Sequence, residues 1–220
     1  MNQRGPRVYN HADGEFMLAF GDTSGPQLLV LQALFEEMNR CRALVIGMCR
    51  MLTDRGIGCW LPDLAGTGES LRALETVSWP EWLSGVRAAS ALIESETRQA
   101  PSIVAIRGGA LLDRVTDAPT WRLAPTSGRS LLSDLRRSAI ASGSDPAHPA
   151  GYALSPDLAE TLAAADTEPS PSGRTVRLAT DGRPADARIE GVPLWRRPEP
   201  GFDAVTAEAI VSDIVAWIKP

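Results

Sequence analysis

Residues 102–113 read SIVAIRGGALLD. Four apolar residues, 103–106, run into Arg107, then Gly108 and Gly109, then a second apolar run. A short apolar run bounded by glycines reads as a buried strand, and the glycines allow a tight corner with close backbone approach. The stretch is therefore a strand, a sharp turn and the first turn of a helix. In many enzymes a corner of this kind presents a nucleophilic serine. Here the corner residue is arginine, which stays protonated and cannot attack a carbonyl.

The segments on either side repeat the pattern. Strands are expected at EFMLAF (15–20), QLLVLQAL (27–34), IGCWLPD (57–63), PTWRLAP (119–125), TVRLAT (175–180) and, last, GVPLW (191–195). Helical spacing is expected over 39–56, with Gly56 ending it, and over 78–99, with Ser78 as N-cap. Shorter helices are expected at GALLDRVTD (109–117), at 128–142, after Ser155 with Pro156 at its first position, and at 206–219. Residues 168–174, EPSPSGR, read as a polar loop. Strands alternating with helices imply an α/β fold: a mostly parallel sheet with helices on both faces.

Composition bounds the rest. The chain has 220 residues, enough for one domain spanning 1–220 with a sizeable core. A net charge of −5 argues against a nucleic-acid partner. No segment is long and apolar enough to span a membrane, and residues 1–16 lack the apolar region of a signal peptide, so the cytoplasm is the expected compartment. The three cysteines, Cys41, Cys49 and Cys59, read as small core hydrophobes. The two histidines, His11 near a frayed N-terminus and His148, show no metal-ligand spacing, and no cofactor motif is present.

In parallel sheets, sites form beyond the C-terminal strand ends. Three loops leave candidate strands there: LFEEMNRCR, DLAGTGES and the arginine corner. Together they resemble the α/β-hydrolase fold. On the nucleophile-elbow pattern G-x-S-x-G, Arg107 stands at the serine, Ala105 replaces the first glycine and Gly109 keeps the last. More narrowly, the chain resembles the second α/β-hydrolase-like family encoded with the exosortase A system, which processes PEP-CTERM proteins in bacteria that make exopolysaccharide. The resemblance rests on FEEMNRCR (35–42), LPDLAGTGES (61–70), SWPEW (78–82), IRGGALL (106–112), SGRSLLSDLRR (127–137) and GYALSP (151–156). It implies an α/β-hydrolase-like domain, and that family also has arginine at its elbow; the short span between PTWRLAP (119–125) and GYALSP (151–156) leaves a small or absent cap as the expectation here. It implies as partners a small anionic ligand or a protein of the exosortase and exopolysaccharide system; a homodimer is compatible with the sequence. Ala105 and the tail PLWRRPEPGFD depart from the family pattern.

A serine hydrolase also needs a histidine base. It should follow the last strand, near 195–205, but WRRPEPGFDAV contains none. With nucleophile and base both absent from their places, the ordinary acyl-enzyme route is closed at this elbow.

The candidate site is therefore a degenerate elbow, Arg107 and Gly108, facing an oxyanion-type loop with Glu36, Glu37, Asn39 and Arg42. Arg107 has two readings: a structural pair with Glu36 or Glu37, or a guanidinium fork that takes a carboxylate, phosphate or sulfate at a helix N-terminus. Asn39 reads as a helix cap with acids before its first turn. Asp63 reads as a turn-fixing acceptor, and Trp79 and Trp82 as packing. Leu131, Leu132 and Leu135 read as the core face of a helix whose Arg129, Arg136 and Arg137 are solvated or at an interface. The alternative reading is a hydrolase or acyltransferase with displaced groups, Cys41 or Ser70 as nucleophile and Glu37 as base.

Overall fold

The computed structural model describes residues 5–143, 151–167 and 172–218. Among them, eight strands form one sheet in the order β1-β2-β4-β3-β5-β6-β7-β8. The strands are β1 (Arg7–Asn10), β2 (Phe16–Phe20), β3 (Gln27–Leu31), β4 (Gly58–Pro62), β5 (Ser102–Ile106), β6 (Thr120–Leu123), β7 (Gly173–Leu178) and β8 (Ala187–Ile189). β1 and β2 run antiparallel to their neighbours, and the remaining pairs are parallel. The helices are α1 (Glu36–Thr53), α2 (Trp79–Thr97), α3 (Gly128–Ser142), α4 (Pro156–Ala164) and α5 (Ala204–Ile218).

Every residue of β3 and β4 is buried, as both faces of a covered parallel sheet require. Alternate strand residues feed two cores. Leu28, Val30, Val104 and Ile106 pack with α1 and α5. Leu29, Leu31, Ile103 and Ala105 pack with α2, α3 and α4. The fully buried Trp60, Trp82 and Trp121 each find an acceptor for the indole N–H: Gln27 Oε1 at 2.8 Å, the Ala65 carbonyl at 2.9 Å and Asp213 Oδ1 at 2.7 Å. Trp82 is thus a packing residue, and the three cysteines are buried.

Local signals set several element ends. At the start of α2 the Glu81 carboxylate accepts from the Ser78 hydroxyl and amide at 2.7 and 2.8 Å. The Ser78 hydroxyl and Arg72 hold the Glu81 carboxyl down to about 2. Gly56, at φ +76, follows the end of α1 as expected.

Four expectations are corrected. β1 lies in a stretch without strand alternation, and His11, far from frayed, is buried with Nε2 3.1 Å from the Asp63 carbonyl. Residues 191–195 are not a strand: Pro193 has no N–H to give, the Val192 amide donates to Thr206 Oγ1 at 2.9 Å, and the last strand is β8. Residues 109–117 do not form a helix; two short 3-10 turns, Arg107–Leu111 and Asp113–Val115, stand there. Asn39 does not cap α1, which begins at Glu36, so both acids lie inside its first turn. His148 lies outside the described residues.

Candidate functional site

Chain direction places the elbow at the C-terminal end of the central strand β5. Arg107 itself takes φ +53, a left-handed conformation that costs an L-residue roughly 1–2 kcal/mol. Gly109 makes the corner sterically feasible, since a Cβ there would meet the Leu31 carbonyl oxygen at 2.3 Å. A Cβ on Gly108 would meet Leu131 at 2.6 Å and Leu34 at 3.1 Å. The turn is therefore pressed against the β3 loop by two residues that lack side chains.

Two more non-glycine residues in left-handed φ belong to this site: Phe35, at φ +56 before α1, and Ala124, at φ +44 after β6. Their strain has a visible use, because it aims groups at Arg107. Phe35 turns the chain so that Glu37 faces the elbow from the first turn of α1. Ala124 presents its carbonyl. Arg107 Nε and Nη2 donate to the Glu37 carboxylate at 3.1 and 2.8 Å, and Nη1 donates to the Ala124 carbonyl at 2.8 Å. The arginine is 5% exposed and the glutamate 6%. Bidentate geometry with both partners buried is the strong form of an ion pair.

The third partner comes from the segment that should deliver a histidine. Trp195, in the short turn Leu194–Arg196 after β8, lies under the Arg107 guanidinium, 5.1 Å from carbon to ring centroid. The chain thus brings Trp195 to the elbow from the expected histidine segment. Asp181 lies in the loop after β7. Asp181 is engaged elsewhere: Arg183 donates to it at 3.0 and 2.7 Å and Arg177 at 3.1 Å. Arg183 first, then these further donors, hold its carboxyl far below the usual range.

The other sequence candidates scatter. Glu36 and Glu37 join Arg107 in the wall of a cavity of about 340 Å³, which also has apolar residues, Phe35, Leu131 and Trp195 among them, and further charged ones, Asp134 and Arg137 among them. Asn39 is exposed and donates to the Tyr152 hydroxyl at 3.2 Å. Arg42 acts on Asp63, whose ionised form it favours, and neither it nor Asn39 lines that cavity. Asp63 accepts the Glu69 amide at 3.2 Å, and a Cβ on Gly68 would strike its carboxylate at 2.2 Å, which is why DLAGTGES needs that glycine. Ser70 donates to Glu15 Oε1 at 2.8 Å. Cys41 is buried, and desolvation, with Glu37 beside it, pushes its thiol up to about 12.

Sequence reasoning missed Arg40, which lines the cavity and donates to the Trp195 carbonyl at 3.2 Å; only its one-turn spacing from Glu36 hinted at its face. It also missed the buried pair of Arg122 with Asp113, at 2.6 and 2.9 Å, which ties the turn after the elbow to β6. A charged residue inside the apolar strand TWRL was the available signal.

No protein-family model and no curated protein matches the sequence. Among solved structures, DcsB in complex with a substrate analogue superposes with a TM-score of 0.62 at 12% identity over 98% of both chains. A protein described as a hydrolase, from Agrobacterium vitis S4, superposes at 0.53, with 14% identity over 98% of this chain and 99% of that one. The fold is α/β-hydrolase-like. The bottromycin epimerase BotH, in complex with bottromycin A2, matches at 0.52 and 15% identity over 99% of this chain and 100% of its own. The chain spans under half the length of the epoxide hydrolases it also matches, 39% of one from Vigna radiata and 48% of a second. At such identities the likeness concerns the fold and leaves the chemistry to the site. Among the described residues no helix is long and apolar enough to cross a membrane.

Proposed function

We propose that the protein is a non-catalytic binding or accessory protein on an α/β-hydrolase-like scaffold, acting in the cytoplasm with the exosortase A and exopolysaccharide system. Its partner is a small anionic ligand or a protein of that system. One observation carries the reading. At the elbow, the guanidinium of Arg107 is clamped by Glu37, Ala124 and Trp195, so the place of a nucleophile is held by a buried cation. A triad needs a deprotonatable nucleophile within reach of a base, and neither group is offered there. The elbow starts a 3-10 turn of five residues instead of a long helix, so helix dipole adds little to anion binding at Arg107 itself.

The reading with displaced catalytic groups finds no support in the geometry. The Cys41 thiol is buried and held at about 12, Ser70 is bonded to Glu15, and Glu37 is committed to Arg107. The test is a broad screen of acyl-ester and thioester substrates with the wild-type chain and with Arg107→Ala and Ser70→Ala. The expected result is no turnover above background in any of them. Turnover that disappears in either variant would refute the non-catalytic reading.

A further inference from the structure

A second cavity, of about 390 Å³, adjoins the first, and Arg107, Asp134, Arg137 and Arg196 line both. Its wall holds five arginines, adding Arg129 and Arg183 to three of those four, against one carboxylate, Asp134. The chain as a whole carries a net charge of −5, so this concentration of cations runs against its balance. The pairs can be counted. Glu37 answers Arg107, Asp134 answers Arg137, and Asp181 is shared by Arg183 and Arg177. Arg129 and Arg196 form no ion pair among the described residues. At least two guanidiniums are thus in excess in one wall, and the hydroxyls of Thr126, Ser130 and Ser133 stand among them. The adjoining chamber is mixed: Leu34, Phe35, Leu131, Leu135 and Trp195 form its apolar part, and Glu36, Glu37 and Arg40 stand in the same wall. Arg40 Nε, in the same wall, has no hydrogen-bond acceptor and faces the Glu36 carboxylate at 3.9 Å.

From this juxtaposition we infer that the cleft binds a phosphate monoester carried on an apolar body. The phosphate sits among Arg129, Arg137, Arg183 and Arg196, and the body lies in the chamber against Phe35, Leu131 and Trp195. Guanidinium forks match phosphate oxygens two at a time, and two uncompensated cations match a dianion. A carboxylate would leave one of them unanswered. Arg107, already clamped, forms the shared floor. The inference deepens the proposed function and rests on it.

The probe is 1-naphthyl phosphate, titrated calorimetrically into the full chain beside inorganic phosphate, with naphthol fluorescence recorded in the same samples. The naphthyl ester is expected to saturate one site and to bind at least about tenfold tighter than inorganic phosphate. Arg129→Ala and Arg196→Ala, both exposed side chains, should each weaken it by about tenfold while circular dichroism stays unchanged. Absence of saturable binding, equal affinity for inorganic phosphate, or an unaltered affinity in the double variant would each overturn the inference. Release of naphthol by the wild-type chain would leave the site standing and remove the non-catalytic reading. A silent titration together with a silent ester screen would remove this site and leave that reading intact.

Discussion

Replacing Glu37 by leucine removes the carboxylate beneath Arg107 and keeps much of its volume. The guanidinium then stays buried at 5% exposure with the Ala124 carbonyl and the Trp195 face as its only remaining partners among the described contacts. Removing one member of a buried pair costs about 3–5 kcal/mol, because a charge is left without compensation. Two features favour the lower end. The Ala124 bond and the aromatic face persist, and the adjoining cavity can admit water to the outer Nη hydrogens. The expected loss is therefore about 3 kcal/mol, or about 6–12 °C in Tm for a chain of this size. Urea titration followed by far-UV circular dichroism should show a lower midpoint at unchanged slope. The companion variant Glu37→Leu/Arg107→Met replaces the whole pair with apolar volume and should recover most of the loss. A single-variant loss below about 1 kcal/mol would refute the reasoning, since that is the behaviour of a solvated surface bridge. Strict additivity of the two single changes would refute it as well.

Gly109→Ala should destabilise by about 3 kcal/mol, the upper part of the overpacking range, because the added Cβ meets the carbonyl oxygens of Leu31 and Gln32 at 2.3 and 2.6 Å and backbone cannot step aside; a wild-type-like midpoint would contradict this. Burial lowers the His11 pKa, with Asp63 and Glu15 opposing, so the folded state holds the ring neutral where the unfolded chain protonates it. Stability from this group is complete above the unfolded pKa of about 6.5 and is lost as pH falls towards the folded value, so the wild type should lose more stability than His11→Gln between about pH 7.5 and about pH 5.5 in urea titrations. The Cys41 thiol, held at about 12 by burial, should resist alkylation by iodoacetamide at neutral pH in native protein and react only on unfolding; fast native labelling at that residue, mapped by mass spectrometry, would show the site to be open.

Much of this fold was legible because its signals are local. The apolar run of β5, the Ser78 and Glu81 pair, Pro156 at the head of α4 and the glycines of DLAGTGES each answer to backbone sterics and hydrogen bonding within a few residues. The same signals failed where the deciding partner was distant. β1 carries little pattern because it is an edge strand of four mostly exposed residues, and 191–195 look like a strand until the Val192 amide is seen to belong to Thr206. Asn39 has the chemistry of a cap but stands inside α1, because the strained backbone of Phe35 begins the helix earlier.

The site divides in the same way. By itself the sequence determined that position 107 carries a permanent cation and that 195–205 contains no histidine, since residue identity alone decides both. For Arg107 it left two readings, a pair with Glu36 or Glu37 and a fork for an anion. Only the tertiary structure paired the guanidinium with Glu37, placed Trp195 on it and gathered Arg129, Arg137, Arg183 and Arg196 around one cavity. The reason is physical. An ion pair or a pocket depends on distances between groups far apart in the chain, and those distances exist only once the sheet has aligned the ends of β3, β5, β6, β7 and β8 beside one another.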